Sequence, residues 1–571
     1  MVNRLIRQPF IWLAAGSLTW QVLLIWQGLD FTDLGYSLTG HQQFYIAPEG
    51  IGEGLVNWLS YFIGHWLGAF FGGAVISYKL AYVLVITITA LSAYAGLASI
   101  FGHSRFLATI IFLVTLFIGK ASENWIGYNN LTALFYTVGA ILLFHGLIKE
   151  SRALIMLAGM VLGANIFVRF PNILGVLLVS AVWLHAWSKH WSIWITLRGT
   201  AYFLSGAMLG ITLIWMLISW HDHQQFYFEG IYAILGMATD PNSHHSGSGL
   251  LKMFVQDHLK AFMLASIFAI TGAVASQWIA TRKNALRKGL ILICATLLAA
   301  IFYYEDLWKW ILVGFFYLSL IAIIAMERHN RQPLALMAFI AFMVLMLTPL
   351  GSNTGMRNAM YGLWLALPLV MTWLLKQPNR TPDVPLSLDP ARQTFVNTIL
   401  LAIGINAIVT SWLYTYRDSE DRLAMTHSIA APLLIGCLTT EARAHVVGEL
   451  LRALPKYVRP GDSLLAYNEM PLIHFLTKTR PWLGNPWPML YGPSKIDRLL
   501  RLKEINATTL PVIVRAKINT SSRQWPENSS TMGTEDREDE SRRIFAKFEQ
   551  RHDYEVVWSN GSFEILITGE Q

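Results

Sequence analysis

Residues 395–422 read FVNTILLAIGINAIVTSWLYTYRDSEDR. The first part, 395–416, carries no charge, and from Arg417 onward five of six residues are charged. An uncharged apolar run of about 20 residues crosses the hydrocarbon core of a bilayer, whereas so charged a segment belongs in water. The whole chain divides at this junction. Residues 1–416 hold 23 Lys+Arg and 15 Asp+Glu, and the remaining 155 residues hold 20 of each. Over all 571 residues, 54% are hydrophobic and 14% charged, against about 25% charged in ordinary globular chains. The sequence therefore predicts an α-helical polytopic membrane domain over 1–416 and a soluble α/β domain over 417–571. A soluble enzyme, a secreted disulfide scaffold and a disordered chain are excluded.

Working back from the junction, thirteen apolar runs are long enough to span: about 9–29, 76–100, 104–121, 130–148, 153–168, 172–187, 199–219, 259–280, 289–304, 308–326, 333–350, 357–376 and 395–416. The stretch Gly54 to Gly73, rich in Gly, Trp and His, reads as a helix lying at the interface. The basic start MVNRLIR precedes a long run without a small-residue cleavage site, so it reads as a start-anchor and not a removed signal peptide.

Charge asymmetry orients these spans. With the N-terminus cytoplasmic, the inner loops and N-terminus carry 16 Lys+Arg and four acids, and the outer loops and helix ends carry seven Lys+Arg and eleven acids. This is the positive-inside pattern. The net charge of +8 thus sits in the membrane domain and reports orientation; no nucleic-acid partner is implied. Thirteen crossings place the tail outside. Cys294 and Cys437 form neither a disulfide framework nor a metal motif.

The tail alternates elements: a strand over Ala431–Leu438, a helix over Glu441–Leu454, a strand Ser463–Tyr467, a short helix Pro471–Leu476 and a strand Leu510–Arg515. A polar loop Asn519–Asp539, a helix Ser541–Arg551 and a hairpin Tyr554–Trp558/Ser562–Ile567 over Asn560-Gly561 complete it. No Gly-rich phosphate loop opens its helices, so no nucleotide is assigned.

Chemistry concentrates on the outer loops. The first contains Asp30, Asp33, Tyr36 and His41 immediately after a membrane helix, where loss of water raises carboxylate pKa values and suits a general base. An acid here also serves as a helix cap or the partner of a nearby Arg. Arg169, in NIFVRFPN, is the sole charge between two apolar runs, and burying it costs roughly 2.5 kcal/mol or more unless it is paired or reaches water. It either snorkels to the interface or clamps a phosphate. Arg357, in TPLGSNTGMRN, repeats the theme: Pro349, Gly351 and Gly355 break the helix beside Asn353, exposing backbone N–H groups next to a cation. Lys120, Glu123 and Tyr128-Asn129-Asn130 line another outer loop without readable chemistry. The loop His221–Leu250 holds His221-Asp222-His223, Glu229, Asp240, His244 and His245. It lacks an HExxH spacing, so it reads as a substrate-lining loop and no metal is assigned, a divalent cation being possible but not favoured.

The blocks DLGYSL, NIFVRFPN and LTPLGSN, with GDSLLAYNEMPLIHFLTKTRP in the tail, resemble bacterial members of the GT-C superfamily of integral-membrane glycosyltransferases, which use polyprenyl-phosphate-linked sugars. The resemblance covers nearly the whole chain. It implies a hexosyl- or pentosyltransferase of the bacterial inner (cytoplasmic) membrane with a periplasmic C-terminal domain. Asp33 matches the first-loop catalytic Asp, and Arg169 and Arg357 fall where a donor phosphate binds. Leu34 stands where many members carry a second acid, which favours a single base over an acid pair or a metal. On this reading Asp33 deprotonates an acceptor hydroxyl on a lipid, glycan or protein, which attacks the anomeric carbon with inversion. Asp30, Tyr36, His41, Asn130, Glu229, His244, His245 and Asn353 line the substrates. The rival readings are a lipid or glycan transporter or flippase, and a non-catalytic scaffold of an envelope-glycan complex. Against transport stand the absence of a repeated block between the halves and the scarcity of mid-helix charges.

Overall fold

Every one of the thirteen apolar runs is helical in the computed structural model, which describes residues 8–569 apart from 122, 240–245, 305–306, 330, 353, 377–388, 420, 507–508 and 528–535. Among the described residues nine helices are long and apolar enough to cross a membrane, and Pro9–Leu24, Arg105–Ile118, Arg152–Phe167 and Gln332–Leu347 are shorter apolar helices. The chain is a multi-pass membrane protein. Two of the runs are composite: Phe170–Val179 and Gly355–Gly362 are 3₁₀ segments that pass into the α-helices Ser180–Lys189 and Leu363–Lys376. The helices Arg152–Ala164 and Ile193–Trp220 meet through small residues. A Cβ on Gly159, Gly163, Gly206 or Gly210 would stand about 2 Å from a backbone oxygen of the other helix, the close backbone approach by which membrane helices pack without hydrophobic drive. The stretch expected at the interface forms a helix Trp58–Phe70 of 13 residues, too short to span.

The tail forms a five-stranded sheet in the order Arg480–Pro481, Ser463–Tyr467, Val512–Ala516, Phe563–Thr568, Tyr554–Ser559. The first three strands run parallel and the last two pair antiparallel. The hairpin forms because the Asn560 side-chain oxygen accepts from the N–H groups of Ser562 and Phe563, both at 2.9 Å. Strand alternation sends Leu465, Tyr467, Ile513 and Leu566 to one face, against Ile496, Leu500, Phe545 and Phe548 of two helices. The other face carries Leu464, Ala466, Val512, Val514, Phe563 and Ile565, and its core is continuous with Phe31, Leu34 and Leu38, which follow the first membrane helix.

Three tail expectations are corrected. Ala431–Leu438 is not a strand: a 3₁₀ turn Pro432–Leu434 interrupts it, and only Leu438–Thr439 pairs, with His427–Ser428. Pro432 lacks a ladder donor and Gly436 sits at φ 76°, so the apolar run cannot stay extended. The helix expected from Ser541 begins at Asp536, and a helix Pro493–Asn506 was not foreseen. Part of the predicted loop Asn519–Asp539 lies outside the described residues.

Candidate active site

The loop after the first membrane helix is fixed atom by atom before the chain reaches Asp30. Arg422 donates through Nη1 to the Leu24 carbonyl at 2.9 Å and through Nε to that of Ser411 at 2.9 Å, setting its charge at two helix C-termini. Lys79 Nζ donates to the carbonyls of Gln27 and Gly28 at 3.2 and 2.7 Å. Leu438 pairs with the segment through its carbonyl, which accepts from Gly28 N at 2.9 Å, and its own N–H, which donates to the Trp26 carbonyl at 2.7 Å. Leu29 N donates to Asp418 Oδ2 at 2.6 Å and its carbonyl accepts from Arg443 Nη1 at 3.1 Å. Buried backbone groups need partners, and here the partners come from the tail.

Asp30 is buried and accepts from Thr32 N, Thr32 Oγ1 and Leu34 N at 3.0, 2.7 and 2.8 Å. Burial, reinforced by the charge of Asp33, pushes its pKa up to about 6. Its oxygens are spent on the turn that starts the helix Asp33–Gln43. This helix docks on the tail where Gly35 permits it: a Cβ there would lie 2.2 Å from Leu472 N, while Leu472 N donates to the Phe31 carbonyl at 3.0 Å.

Asp33, the first residue of that helix, keeps its side chain 32% exposed. Its Oδ2 accepts from Tyr416 Oη at 2.5 Å and lies 3.0 Å from Arg417 Nη1. Arg417 also donates to Thr32 Oγ1 at 2.6 Å. Asp33 Oδ1 accepts no hydrogen bond from the described residues. The carboxylate is therefore aimed through one oxygen while the other stays available.

Across the site Glu123 accepts from Asn129 Nδ2 at 2.9 Å. Burial first, then the Asp33 charge, raise its pKa to about 7, against the pull of Asn129 and Arg357. Asp33 and Arg357 therefore both act on Glu123. Tyr361 lies in the field of Glu123, Arg169, Tyr128 and Arg357 together, which brings both predicted phosphate ligands to this side of the bundle. Arg169 is placed by buried amides: Asn172 Nδ2 donates to Thr132 Oγ1 at 2.9 Å and to Asn165 Oδ1 at 3.0 Å, shaping the turn before Pro171. Arg169 Nη2 then donates to the Gly351 carbonyl at 3.4 Å, with its guanidinium 5.9 Å from the Tyr128 ring. Gly351 has φ 79° and packs on Pro171. The helix break predicted at Pro349–Gly355 is real, but Ser352, Gly355 and Arg357 spend their N–H groups on local turns, and Met356 N donates to Asp257 Oδ2 at 2.9 Å.

The remaining predicted residues fall in several places. Tyr36 lines the seam between first loop and tail, 6.5 Å from the Trp487 ring, and burial pushes its pKa up to about 12. His41 is buried, stacked on Tyr78 at 5.4 Å and within 3.1 Å of the Ile126 carbonyl. Burial lowers its pKa to about 4, leaving a neutral packed ring. Asn130 spends its amide on Gly127 N and the Trp125 carbonyl. Glu229 is exposed and accepts from Gln225. Asp240, His244, His245 and Asn353 lie outside the described residues. His223 accepts from Trp58 Nε1 at 3.0 Å, and among the described residues no group of three or more His, Cys, Asp or Glu is arranged for a metal ion.

No family model and no curated protein matches the chain. Among solved structures it is similar to the Archaeoglobus fulgidus oligosaccharyltransferase in a complex with zinc and sulfate, at 11% identity and TM-score 0.46, over 89% of this chain and 68% of that one. It is also similar to ArnT from Cupriavidus metallidurans bound to undecaprenyl phosphate, at 10% identity and TM-score 0.44, over 98% of this chain and 97% of that one. The likeness is one of fold.

The sequence reading missed Tyr416, Arg417 and Glu123 as site residues. Tyr416 and Arg417 were legible only as a domain junction, since nothing in a sequence pairs positions 383 residues apart. Glu123 carried a weak signal, an acid in an outer loop between two apolar runs.

Proposed function

We propose that this protein is a glycosyltransferase of the bacterial inner membrane that moves a sugar from a polyprenyl-phosphate donor to an acceptor hydroxyl. On this reading the N-terminus is cytoplasmic and the domain over 417–571 is periplasmic. The observation that carries it is the Asp33 carboxylate: partly exposed, oriented through Oδ2 by Tyr416 and Arg417, with Oδ1 unengaged by the described residues. A base must first reach its proton, and Oδ1 is the atom that does. As the acceptor oxygen attacks the anomeric carbon, its proton passes to Oδ1. Polyprenyl phosphate departs with the electrons of the C–O bond, and the sugar centre inverts. Arg169 and Arg357 hold the phosphate, whose charge grows as it leaves. Glu123, whose pKa burial raises to about 7, is the second acid of the site and stands on the side of Arg357, by the donor phosphate. The acceptor is a lipid, a glycan or a protein, and the residues named act without a metal.

The test is transfer by the purified protein in lipid, offered a panel of polyprenyl-phosphate sugars. Release of free polyprenyl phosphate by the wild type, with a loss of about 10²–10⁴-fold in Asp33→Asn, supports the reading. Equal release by both sinks Asp33 as the base. Sugar appearing inside vesicles with no new glycosidic bond makes the protein a transporter.

A further inference from the structure

At the end of the bundle away from Asp33 the helices Ser180–Lys189, Trp308–Glu327 and Gln332–Leu347 enclose a groove of about 370 Å³. Its remoteness follows from the chain path. The span Phe170–Lys189 runs from beside Arg169 to the groove, and Gln332–Leu347 runs from the groove back toward Gly351. The walls are apolar, with Ile321, Phe339 and Phe342 among them, and Arg328 and Gln332 stand at one end. Trp187 is 60% and Ile321 44% exposed, so the groove opens on the surface that a bilayer covers.

The polar end is cationic and uncompensated. Arg328 lies over the Trp187 ring at 5.5 Å, and no carboxylate among the described residues pairs with it. The neighbouring Glu327 is already engaged, by Trp373 Nε1 at 3.0 Å and Arg331 at 3.9 Å. Gln332 Nε2 donates to the Ser188 carbonyl at 3.0 Å, which closes the groove beside Arg328. Its loops belong to the set that carries 16 Lys+Arg against four acids.

We propose that this groove binds an anionic glycerophospholipid, with an acyl chain along Phe339 and Phe342 and the phosphate on Arg328. Depth selects this lipid over a polyprenyl chain. From Gln332 to Phe342 is about 15 Å of helix, half of the ~30 Å hydrocarbon core, which is the reach of one leaflet. Charge selects the headgroup: a zwitterionic lipid also offers a phosphate, but its own cation offsets that charge, so a guanidinium without a carboxylate partner favours a lipid of net negative charge. The inference stands apart from the reading of Asp33.

The experiment places the full-length protein in nanodiscs of equal phosphatidylglycerol and phosphatidylcholine and measures the lipid retained on release by native mass spectrometry. Wild type is expected to retain phosphatidylglycerol about fivefold over phosphatidylcholine, the ratio worth one basic side chain at an anionic leaflet. Arg328→Ala brings the ratio to about one, Arg328→Lys keeps it above one, and Ala325→Trp, which fills the groove from its exposed side, lowers total retention. Lys189→Ala, at the same end but outside the groove, leaves the ratio unchanged. A ratio of one in wild type overturns the proposal, as does a ratio kept in Arg328→Ala or lost equally in Lys189→Ala. Displacement of phosphatidylglycerol by added polyprenyl phosphate overturns the choice of lipid.

Discussion

Tyr416 and Arg417 meet Asp33 on the same oxygen, Oδ2, at 2.5 and 3.0 Å. Two donors on one oxygen fix the plane of a carboxylate without covering its other lone pairs. Both come from the segment that follows the last membrane helix, so the first and last parts of the membrane domain meet at this one side chain. The pairing also explains how a loop acid beside a cation can serve a reaction: the cation orients it from behind.

Removing the donors one at a time separates orientation from chemistry. Tyr416→Phe loses one hydrogen bond, worth about 1 kcal/mol, and kcat for transfer should fall about fivefold with the donor KM unchanged. Arg417→Ala should cost more, and Arg417→Lys should recover part of the loss because it keeps the charge but not the planar fork. The measurement is steady-state transfer in nanodiscs. A change in KM alone would mean that these residues bind donor instead of aiming Asp33.

Glu123 gives the site a pH dependence with a defined sign. Its pKa is raised from 4.5 to about 7, by burial first and then by Asp33. Below pH 7 it is neutral, and above it an anion stands beside the donor phosphate. The second ionisation of the phosphate itself, at about pH 6, is common to both proteins, so in nanodisc titrations the ratio of polyprenyl phosphate affinity in wild type to that in Glu123→Gln should fall as pH rises through about 7. Asp33→Asn removes one of the charges that raise Glu123 and should move the midpoint down. The same proton favours the fold: its contribution is fully present below about 4.5 and lost as pH rises through about 7. Wild type should thus lose more melting temperature than Glu123→Gln across that window.

Arg169 and Arg357 are tested by affinity. If each makes a charge-assisted bond to the donor phosphate, Arg169→Ala or Arg357→Ala should weaken polyprenyl phosphate binding about tenfold to a hundredfold. Arg169→Lys should recover little, because its stem would have to replace a guanidinium already braced on Gly351. An unchanged dissociation constant in both alanine variants removes the phosphate role.

What the sequence disclosed follows the range of the forces involved. The thirteen apolar runs were legible as helices because hydropathy is a local sum, although only nine of the described helices are long and apolar enough to cross a membrane, and the hairpin because Asn560-Gly561 specifies its own turn. Ala431–Leu438 misled because an apolar run without alternation does not distinguish strand from irregular chain, and Pro432 and Gly436 decided against the ladder. Arg169 and Arg357 stood out as isolated charges in apolar surroundings. His41 and Asn130 also stood out as polar residues, yet packing spends them on the Ile126 carbonyl and the Gly127 turn. The elevated pKa of Glu123 and the grip of Arg417 on Asp33 arise only when distant segments meet, and no local pattern encodes them.

The last prediction concerns the buried pair that holds this meeting together. Arg443 Nη1 lies 2.9 Å from Asp418 Oδ1, with both side chains wholly excluded from water. An isolated buried ion pair can often be exchanged for apolar residues at little cost, although removing one partner costs about 3–5 kcal/mol. This pair does more than neutralise itself. Arg443 donates to the carbonyls of Leu29, Arg417 and Trp525 at 3.1, 3.2 and 3.1 Å, and Asp418 accepts from Leu29 N. Exchanging both residues therefore orphans four backbone groups, three of them buried, and each buried one costs about 1–3 kcal/mol. Asp418→Ala should lose about 3–5 kcal/mol in denaturant unfolding, and the double variant Asp418→Leu/Arg443→Met should remain at least as unstable. A double variant restored to near wild-type stability would show that the pair serves only its own charges, and that the backbone of Leu29 and Arg417 finds its place beside Asp33 without it.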